Sequence, residues 1–463
     1  MNPEFQRNLW LEASPRRIAW AGVVLALVFG AVAFVTANEG GGTARALGAT
    51  GMFVFVICAL LWGARAAGTA VLAEIADRTW DFQRLSALTP WAMTWGKLFG
   101  ATGLAWMCGL AGMLVLILSA LADGRADRSW TLAFILALAV LVQAISMAAA
   151  LIGVRKARAE GRVARSGGVV GGLIVGFLLL SSIASSSGFQ HGLGTAGLGE
   201  LFSSNGEVRW WGLVLPNDAF RAIAVAAFAA WALAGAWRLM RLELQMQNAP
   251  LVWPAFLAFL AAFTAGFMID GGLSNGLLAG AMAVALCAYA AGFAEPADRV
   301  RLRQFAGALK RGELDRASPM TPATLPPVIL AALLVIAGLA SAEPTRLGPT
   351  LEAGQAMALI AFMCRDLGVV AFFRFGPRPQ RGDFGAVVAL ALLYGIGMLI
   401  GGSAGGPAGR ALFAPTGEAP FASVISGAMQ AAVAWFLAAR RIRAPEPSAV
   451  SSAPSAPASS PAS

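Results

Sequence analysis

Long apolar stretches with very few charges are what most constrain this chain. Hydrophobic residues make up 58% of its 463 residues and charged residues only 13%, whereas a soluble domain carries roughly 25% charged residues. A soluble fold could not cover this much apolar surface. The sequence therefore predicts an all-α, polytopic membrane protein in which each apolar stretch crosses the bilayer as a helix.

The sequence contains twelve apolar stretches of about the 20 residues that a membrane-spanning helix needs. The predicted spans, in chain order, are Ile18–Thr36, Ala46–Gly63, Leu98–Leu121, Trp130–Val154, Gly168–Ser187, Ala219–Trp237, Trp253–Ile269, Leu277–Ala294, Leu325–Ser341, Gly354–Phe373, Phe384–Gly401 and Phe421–Ala439.

The positions of lysine and arginine support the same number of spans. Short cytoplasmic loops of membrane proteins carry an excess of basic residues. With a cytoplasmic N-terminus, 26 of the 34 basic residues fall in cytoplasmic segments and 7 on the opposite side. We therefore expect both termini in the cytoplasm. The net charge of +10 is explained by this topology, so no nucleic-acid partner is predicted.

A short motif occurs twice, six spans apart. Residues 74–78 read EIADR and are followed by LTP at 88–90, while residues 295–299 read EPADR and are followed by MTP at 320–322. Both copies lie on the same predicted side of the membrane. Such a repeat indicates two related units of the same orientation.

This repeat divides the chain into three parts. Residues 1–240 form a first six-helix half and residues 241–443 a second. The tail, 444–463, consists almost entirely of proline, serine and alanine, a composition that predicts disorder.

The segment between the second and third spans resembles the coupling segment of ATP-binding-cassette (ABC) transporter permeases, and more narrowly of the type-2 exporter class. The resemblance rests on about 25 residues: a cytoplasmic glutamate, Arg-Thr, a leucine-bearing stretch, Thr-Pro, and Gly-Lys at the start of the next helix. In that family the segment docks on the ATPase subunit. The matching positions here are Glu74, Asp77, Arg78, Thr79, Leu85, Thr89, Pro90, Gly96 and Lys97.

The second copy of the motif extends the resemblance to Glu295, Asp298 and Arg299. It departs from the family pattern because Pro296 interrupts its start, Gln304–Ala317 lengthens the loop, and no lysine follows the second Thr-Pro. The family's amphipathic connecting helix before the first span corresponds to Pro3–Arg17.

The resemblance implies a transport component and not an enzyme. The chain has no G-x-x-x-x-G-K-[S/T] phosphate-binding loop, so ATP hydrolysis would come from one or more separate ABC ATPase subunits. We predict no cofactor and no metal site. The sequence has one histidine, and its four cysteines lie inside apolar stretches without metal-ligand spacing.

Polar residues within the predicted spans form a second candidate site. Arg365 and Asp366 lie near the middle of the tenth span, and Gln143 takes the corresponding place in the fourth. Charges at this depth are costly and commonly functional, so the three residues mark either a substrate pathway or a structural contact between helices. Adjacent residues point about 100° apart on a helix, and we expect Arg365 and Asp366 to find partners on other helices.

Two other functions fit the same composition. An ion- or proton-coupled secondary transporter would place Arg365 and Asp366 in its pathway, although the scarcity of intramembrane acids argues against a proton relay. A membrane scaffold without transport activity is the other alternative. The transported substrate, and whether it is exported or imported, cannot be derived from the sequence.

Overall fold

The fold is a bundle of long apolar helices. The computed structural model describes residues 2–38, 42–77, 88–124, 129–159, 206–246, 251–341, 353–416 and 419–444. Within these ranges ten helices are long and apolar enough to cross a membrane, or eleven if the bent pair Leu314–Met320 and Leu325–Ala340 forms one span. The prediction of an all-α polytopic membrane protein is therefore confirmed.

The elements of the first half, with their bounds, are α1 (Pro3–Glu12), α2 (Pro15–Asn38), α3 (Thr43–Ala76), α4 (Pro90–Ala101), α5 (Gly103–Ala122), α6 (Ser129–Ala159), the strands β1 (Glu207–Trp210) and β2 (Leu213–Pro216), and α7 (Asn217–Glu243). The elements of the second half are α8 (Val252–Met268), α9 (Leu273–Ala294), α10 (Arg299–Lys310), α11 (Leu314–Ala317), α12 (Leu325–Ala340), α13 (Ala353–Arg374), α14 (Gly382–Ala411) and α15 (Pro420–Arg443).

Ten of the twelve predicted spans coincide with apolar helices of spanning length. The ninth corresponds to α12, which has 16 residues and follows a bend of 101°, so it reaches spanning length only together with the preceding turns. The fifth, 168–187, lies outside the described residues, as does the predicted disorder of 445–463.

The third span begins differently from its prediction. Helical structure starts at Pro90 and not at Leu98, because the Thr89 side chain accepts a hydrogen bond from the amide of Ala92 and caps the new helix. A break at Thr102 then separates α4 from the apolar α5. Hydropathy located the apolar helix, but the Thr-Pro pair marks where helical structure begins.

The same packing arrangement occurs in both halves. In the first, α3 and α5 pack antiparallel, whereas α6 and α7 run parallel, with the Arg221 guanidinium over the Phe134 ring at one end and an Arg158–Glu243 ion pair at the other. In the second half, α9 and α12 pack antiparallel and α13 and α15 run parallel.

Helix α14 contains a sharp reversal. Gly406 has a φ of +57°, a left-handed conformation that favours glycine, and Pro407 follows it. Beyond this point the chain folds back so closely that Gly401 and Gly409 are in backbone contact. The end of α14 therefore returns towards the middle of its own first part and brings Phe413 against Gly397.

A small β-hairpin joins the two halves at one end of the bundle. Its two-residue turn places Trp211 (φ 52°) and Gly212 (φ 72°) in the left-handed region, as a tight hairpin requires. The Trp210 and Trp211 indoles donate to the carbonyls of Phe263 and Ala262 in α8 at 3.0 and 3.2 Å. Around them lies an aromatic cluster formed by Trp210, Phe220, Phe228, Phe259, Phe263 and Phe267.

We predict that close glycine contacts hold α3 against α5, because helix association in lipid relies on close packing. A methyl group on Gly112 would lie 2.7 Å from the Gly51 carbonyl oxygen. Gly112→Ala should therefore destabilise the chain by about 1–3 kcal/mol through overpacking. Gly30→Ala on the exposed α2 adds the same methyl group to open space and serves as the control. Equal thermal unfolding midpoints for the two variants in detergent would contradict the prediction.

Candidate functional site

The first copy of the E-x-A-D-R motif is built around a buried lysine. Lys97 of α4 has a fully buried side chain, and its ammonium donates to Glu4 of α1 at 2.8 Å and to Glu74 in the last turn of α3. Arg7 of α1 also donates to both carboxylates. Among the described residues, two acids and two bases thus form one network, termed here the Lys97 network, that joins three helices with equal numbers of acidic and basic groups.

A stripe of glycines brings α1 close enough to complete this network. Gly96, Gly100 and Gly103 face α1 at helical spacing, and a methyl group on Gly96 would lie 2.8 Å from the backbone nitrogen of Phe5. Asn2 fixes the start of α1, because its side chain accepts from the amide of Glu4 and donates to the carbonyl of Ala92. The amphipathic helix predicted for Pro3–Arg17 is shorter in the structure, because α1 ends at Glu12 and Pro15 begins α2. Helix α1 packs on α4.

The electrostatics of Glu4 follow from this packing. Burial acts to raise the pKa of Glu4, but the charges of Lys97 and Arg7 and the hydrogen bond from Asn8 outweigh it, so the pKa lies below its ordinary value. Removing a buried charge from its partners is costly. The Lys97 network therefore ties the end of α3 to α4 and α1.

In the second copy of the motif, the glutamate is paired without a lysine. Glu295 follows α9 directly and accepts a hydrogen bond from the amide of Ala323, just before α12, at 2.8 Å. Its other carboxylate oxygen lies 3.7 Å from Arg301 of α10. Burial raises the pKa of Glu295 in spite of the opposing effects of Arg301, the Ala323 amide and Arg374.

Helix α10 binds the ends of three neighbouring segments through arginines. Arg299 donates to the carbonyl of Phe375 at 2.6 Å, and Arg303 donates to the carbonyls of Ile442 and Ala444 at 2.8 and 2.9 Å. Arg301 reaches the carbonyl of Thr321 at 3.4 Å. Basic side chains commonly satisfy the last carbonyls of helices, so α10 holds together the ends of α13 and α15 and the turn before α12.

The predicted coupling residues therefore occupy different environments. Glu74 is buried and Glu295 half-buried; Glu74 binds Lys97 in α4, and Glu295 binds the amide of Ala323 just before α12. Asp77 and Asp298 are exposed. Asp77 follows the last residue of α3, and Asp298 caps α10 by accepting from the amide of Arg301 at 2.9 Å. Thr89 and Pro90 begin α4, whereas Arg78, Thr79 and Leu85 lie outside the described residues.

Lys156 connects the two halves at this same end of the bundle. Its ammonium at the end of α6 donates to the carbonyl of Phe293 in α9 at 3.0 Å and to the carboxylate of Asp383 in α14. Asp383 also lies 3.3 Å from the guanidinium of Arg374. The sequence has only three lysines beside 31 arginines, and two of the three lie at these helix junctions.

Arg365 and Asp366 form a compact cluster inside the helix bundle. Their relative exposures are both 1%. The carboxylate of Asp366 accepts hydrogen bonds from the hydroxyls of Tyr289 and Tyr394, both at 2.8 Å, and these are the two tyrosines of the entire chain. Asp366 thus links α13 to α9 and α14.

Arg365 completes the cluster, and it contacts Asp366 although adjacent residues on a helix were expected to point apart. Partners on other helices are present, since Arg365 donates to the carbonyl of Phe413 and to Gln430, both at 3.1 Å. Adjacent helical side chains diverge, yet Arg365 also folds back to donate to Asp366 at 2.8 Å. Its guanidinium packs between the rings of Phe362 and Tyr394. Every charge in the cluster therefore has partners within the chain.

Gln143 lies in the corresponding place of the first half and is fully buried. Its amide donates to the carbonyl of Ala59 at 2.7 Å and accepts from the indole of Trp106 at 3.0 Å. Ala59 belongs to the wide π-helical turn Val56–Trp62 within α3, where a backbone carbonyl is free to take another donor. Gln143 therefore joins α6 to α3 and α5 by neutral hydrogen bonds.

Comparison with known proteins adds no identification. No protein-family model, no curated protein and no solved structure matches this chain. Among the described residues, no three histidine, cysteine, aspartate or glutamate side chains lie close enough together to hold a metal ion.

We predict that Lys97→Met destabilises the chain by about 3–5 kcal/mol, because the variant removes the buried cation that pairs with two buried carboxylates and leaves them the half-exposed Arg7. Arg17→Met is the matched control, since it removes a cation from an exposed pair with Glu12 and should cost less than about 1 kcal/mol. Unfolding of the detergent-solubilised chain measures both. A loss for Lys97→Met no larger than that for Arg17→Met would refute the structural role of the network.

Glu295 and Glu4 should make the free energy of unfolding depend on pH in opposite directions. Because the pKa of Glu295 is raised, the folded chain holds that proton more tightly than the unfolded chain, and the free energy of unfolding falls as pH rises through the raised pKa. Glu295→Gln should abolish this fall. Glu4 instead stabilises the folded chain at neutral pH, and this stabilisation is lost as pH falls through the lowered pKa of Glu4. Glu4→Gln should therefore make the free energy of unfolding fall less steeply as the solution is acidified. Thermal midpoints measured from acid to neutral pH test both signs.

Proposed function

We propose that this chain is the membrane-spanning permease component of an ATP-driven ABC transporter, an exporter in the inner membrane of a bacterium. A separate ABC ATPase subunit supplies the energy. The observation that carries this proposal is the double arrangement at the motif. Each E-x-A-D-R copy has an exposed aspartate three residues after a glutamate that binds a later segment of the chain: Glu74 binds Lys97 in α4, and Glu295 binds the amide of Ala323, two residues before α12.

This arrangement supports the transmission of force from a partner to the helices. A subunit that pressed on Asp77 or Asp298 would act on a segment whose neighbouring glutamate is anchored to α4 or α12. Movement of the loop would therefore displace the helices on both sides of it. A loop that only connected two spans would need neither the anchor nor the repetition of the motif.

The packing of the helices supports two six-helix halves, 1–240 and 241–443, and the distribution of basic residues supports termini that both lie in the cytoplasm. The antiparallel and parallel pairs of the first half recur in the second, six spans later. In this proposal the halves rock against each other, with the aromatic cluster at the hairpin as one point of contact and the Lys156–Asp383 pair as the other.

The Arg365 cluster supports a structural role better than a substrate pathway. Its carboxylate is occupied by two tyrosine hydroxyls and one guanidinium, all from this chain. A proton or ion pathway would require this buried group to exchange those partners during transport. We therefore assign Arg365 and Asp366 to the assembly of the second half, and likewise Gln143 to that of the first.

Charge reversal at the exposed aspartates tests the proposal. An ABC ATPase should co-purify with the affinity-tagged native chain, and Asp77→Arg should lower its yield about tenfold or more, because like charges across an interface cost several kcal/mol. Asp298→Arg tests the second copy of the motif. Asp123→Arg reverses an exposed charge at the end of α5, the opposite end of the bundle, and should leave the yield unchanged. If no ATPase co-purifies with the native chain, the proposal fails.

A further inference from the structure

Helix α10 separates two cavities of different character. One face of the helix, with Arg301, Leu302, Phe305 and Ala306, lines a cavity of about 370 Å³, within the usual size range of ligand pockets. The opposite face, with Arg303 and Arg311 among its residues, lines an open recess of about 400 Å³. The two cavities adjoin, since Met320 lies in the wall of both.

The first cavity is suited to an apolar chain. Its far walls come from α12, α13 and α15 and include Leu325, Leu367, Val370 and Trp435. The charged groups at its edge already bind each other or backbone atoms: Glu295 accepts from Ala323, and Asp298 caps α10. A ligand in this cavity therefore gains from apolar contact and has no unpaired charge to neutralise.

The second recess has the opposite chemistry. Of the residues that the structure describes, three arginines line it, Arg303, Arg311 and Arg316, and no acidic side chain does. Glu313 pairs with Arg311 and Arg316 from beside the recess, so the arginines that line the recess outnumber the carboxylate that pairs with them. Basic recesses at the ends of membrane helices attract anionic lipid head groups.

We propose that α10 is the binding site of one anionic phospholipid, whose acyl chain fills the apolar cavity and whose phosphate lies at the arginine recess. A molecule with one long apolar part and one anionic part matches both cavities, and the bilayer supplies it at the ends of the helices. The site does not depend on an ATPase partner, so it stands or falls separately from the proposed function.

The assay is native mass spectrometry of the full chain, stripped of lipid in detergent and then supplied with defined probes. The probes are phosphatidylglycerol and phosphatidylethanolamine with the same acyl chains, and oleic acid. The native chain should retain one phosphatidylglycerol and markedly less of the other two. Equal retention of the two phospholipids, or preferential retention of oleic acid, would overturn the proposal.

Two sets of variants locate the site. Ala306→Trp fills the mouth of the apolar cavity and should abolish retention, whereas Val300→Trp, on an exposed part of α10 that lines neither cavity, should retain the lipid as the native chain does. Arg311→Ala and Arg316→Ala should each reduce the preference for phosphatidylglycerol about fivefold, the effect of one basic residue near an anionic head group. Arg16→Ala removes an exposed charge elsewhere and is the control.

The arginine variants should fold like the native chain, because Arg311 and Arg316 lie on the surface. If Ala306→Trp does not fold, a lipid preference that is unchanged in both arginine variants still rejects the site. Undiminished retention in a folded Ala306→Trp chain rejects it as well.

Discussion

The charge of Lys97 must be balanced inside the protein, and much of the structure at one end of the bundle follows from that requirement. Its ammonium is fully buried, and an uncompensated charge there would cost several kcal/mol. Two carboxylates on two other helices supply the balance, with Arg7 shared between them. Helix α1 must therefore lie against α4, and that contact in turn requires the glycines that face it.

The second half meets a similar requirement with different groups. Glu295 binds a backbone amide and a more distant arginine, and burial raises its pKa in spite of both. The amphipathic helix that contributes this arginine is α10, inserted after the motif, whereas α1 precedes the whole first half. The two copies of the motif are thus stabilised from two different places in the sequence. In the proposed transporter this difference would make the two coupling segments unequal in stiffness.

Hydropathy was sufficient to predict the class of fold, because a long apolar stretch has few alternatives to a membrane helix. The Thr-Pro pairs and the motif also identified Glu74 and Glu295. The sequence further shows that no lysine follows the second Thr-Pro pair. Glu4 was missed, because its position in a polar N-terminal segment gives no sign that the segment packs on α4. The stripe Gly96, Gly100 and Gly103 was the available signal, since glycines at helical spacing indicate close approach of another backbone.

Other features depend on long-range contacts that no local pattern reveals. The pairing of Asp366 with Tyr289 and Tyr394 joins residues 77 and 28 positions apart, although the rarity of tyrosine in the chain was a possible clue. The hairpin Glu207–Pro216 turns at Trp-Gly and not at an Asn-Gly or Asp-Gly pair, so its turn was not recognisable. The reversal in α14 was visible only as a glycine-rich sequence with one proline.

The central claim is that ATP hydrolysis by a partner moves the two halves relative to each other. It is tested most directly by the distance between spin labels at Ala159, one turn beyond Lys156, and at Pro377, in the loop before Asp383; both positions are exposed and lie in different halves. The account predicts that, in the chain reconstituted with its co-purified ATPase, this distance distribution shifts on addition of ATP and returns after hydrolysis. A distance distribution that is unchanged by ATP, but shifts when a proton or sodium gradient is imposed on the chain alone, would contradict ATP-driven movement of the two halves.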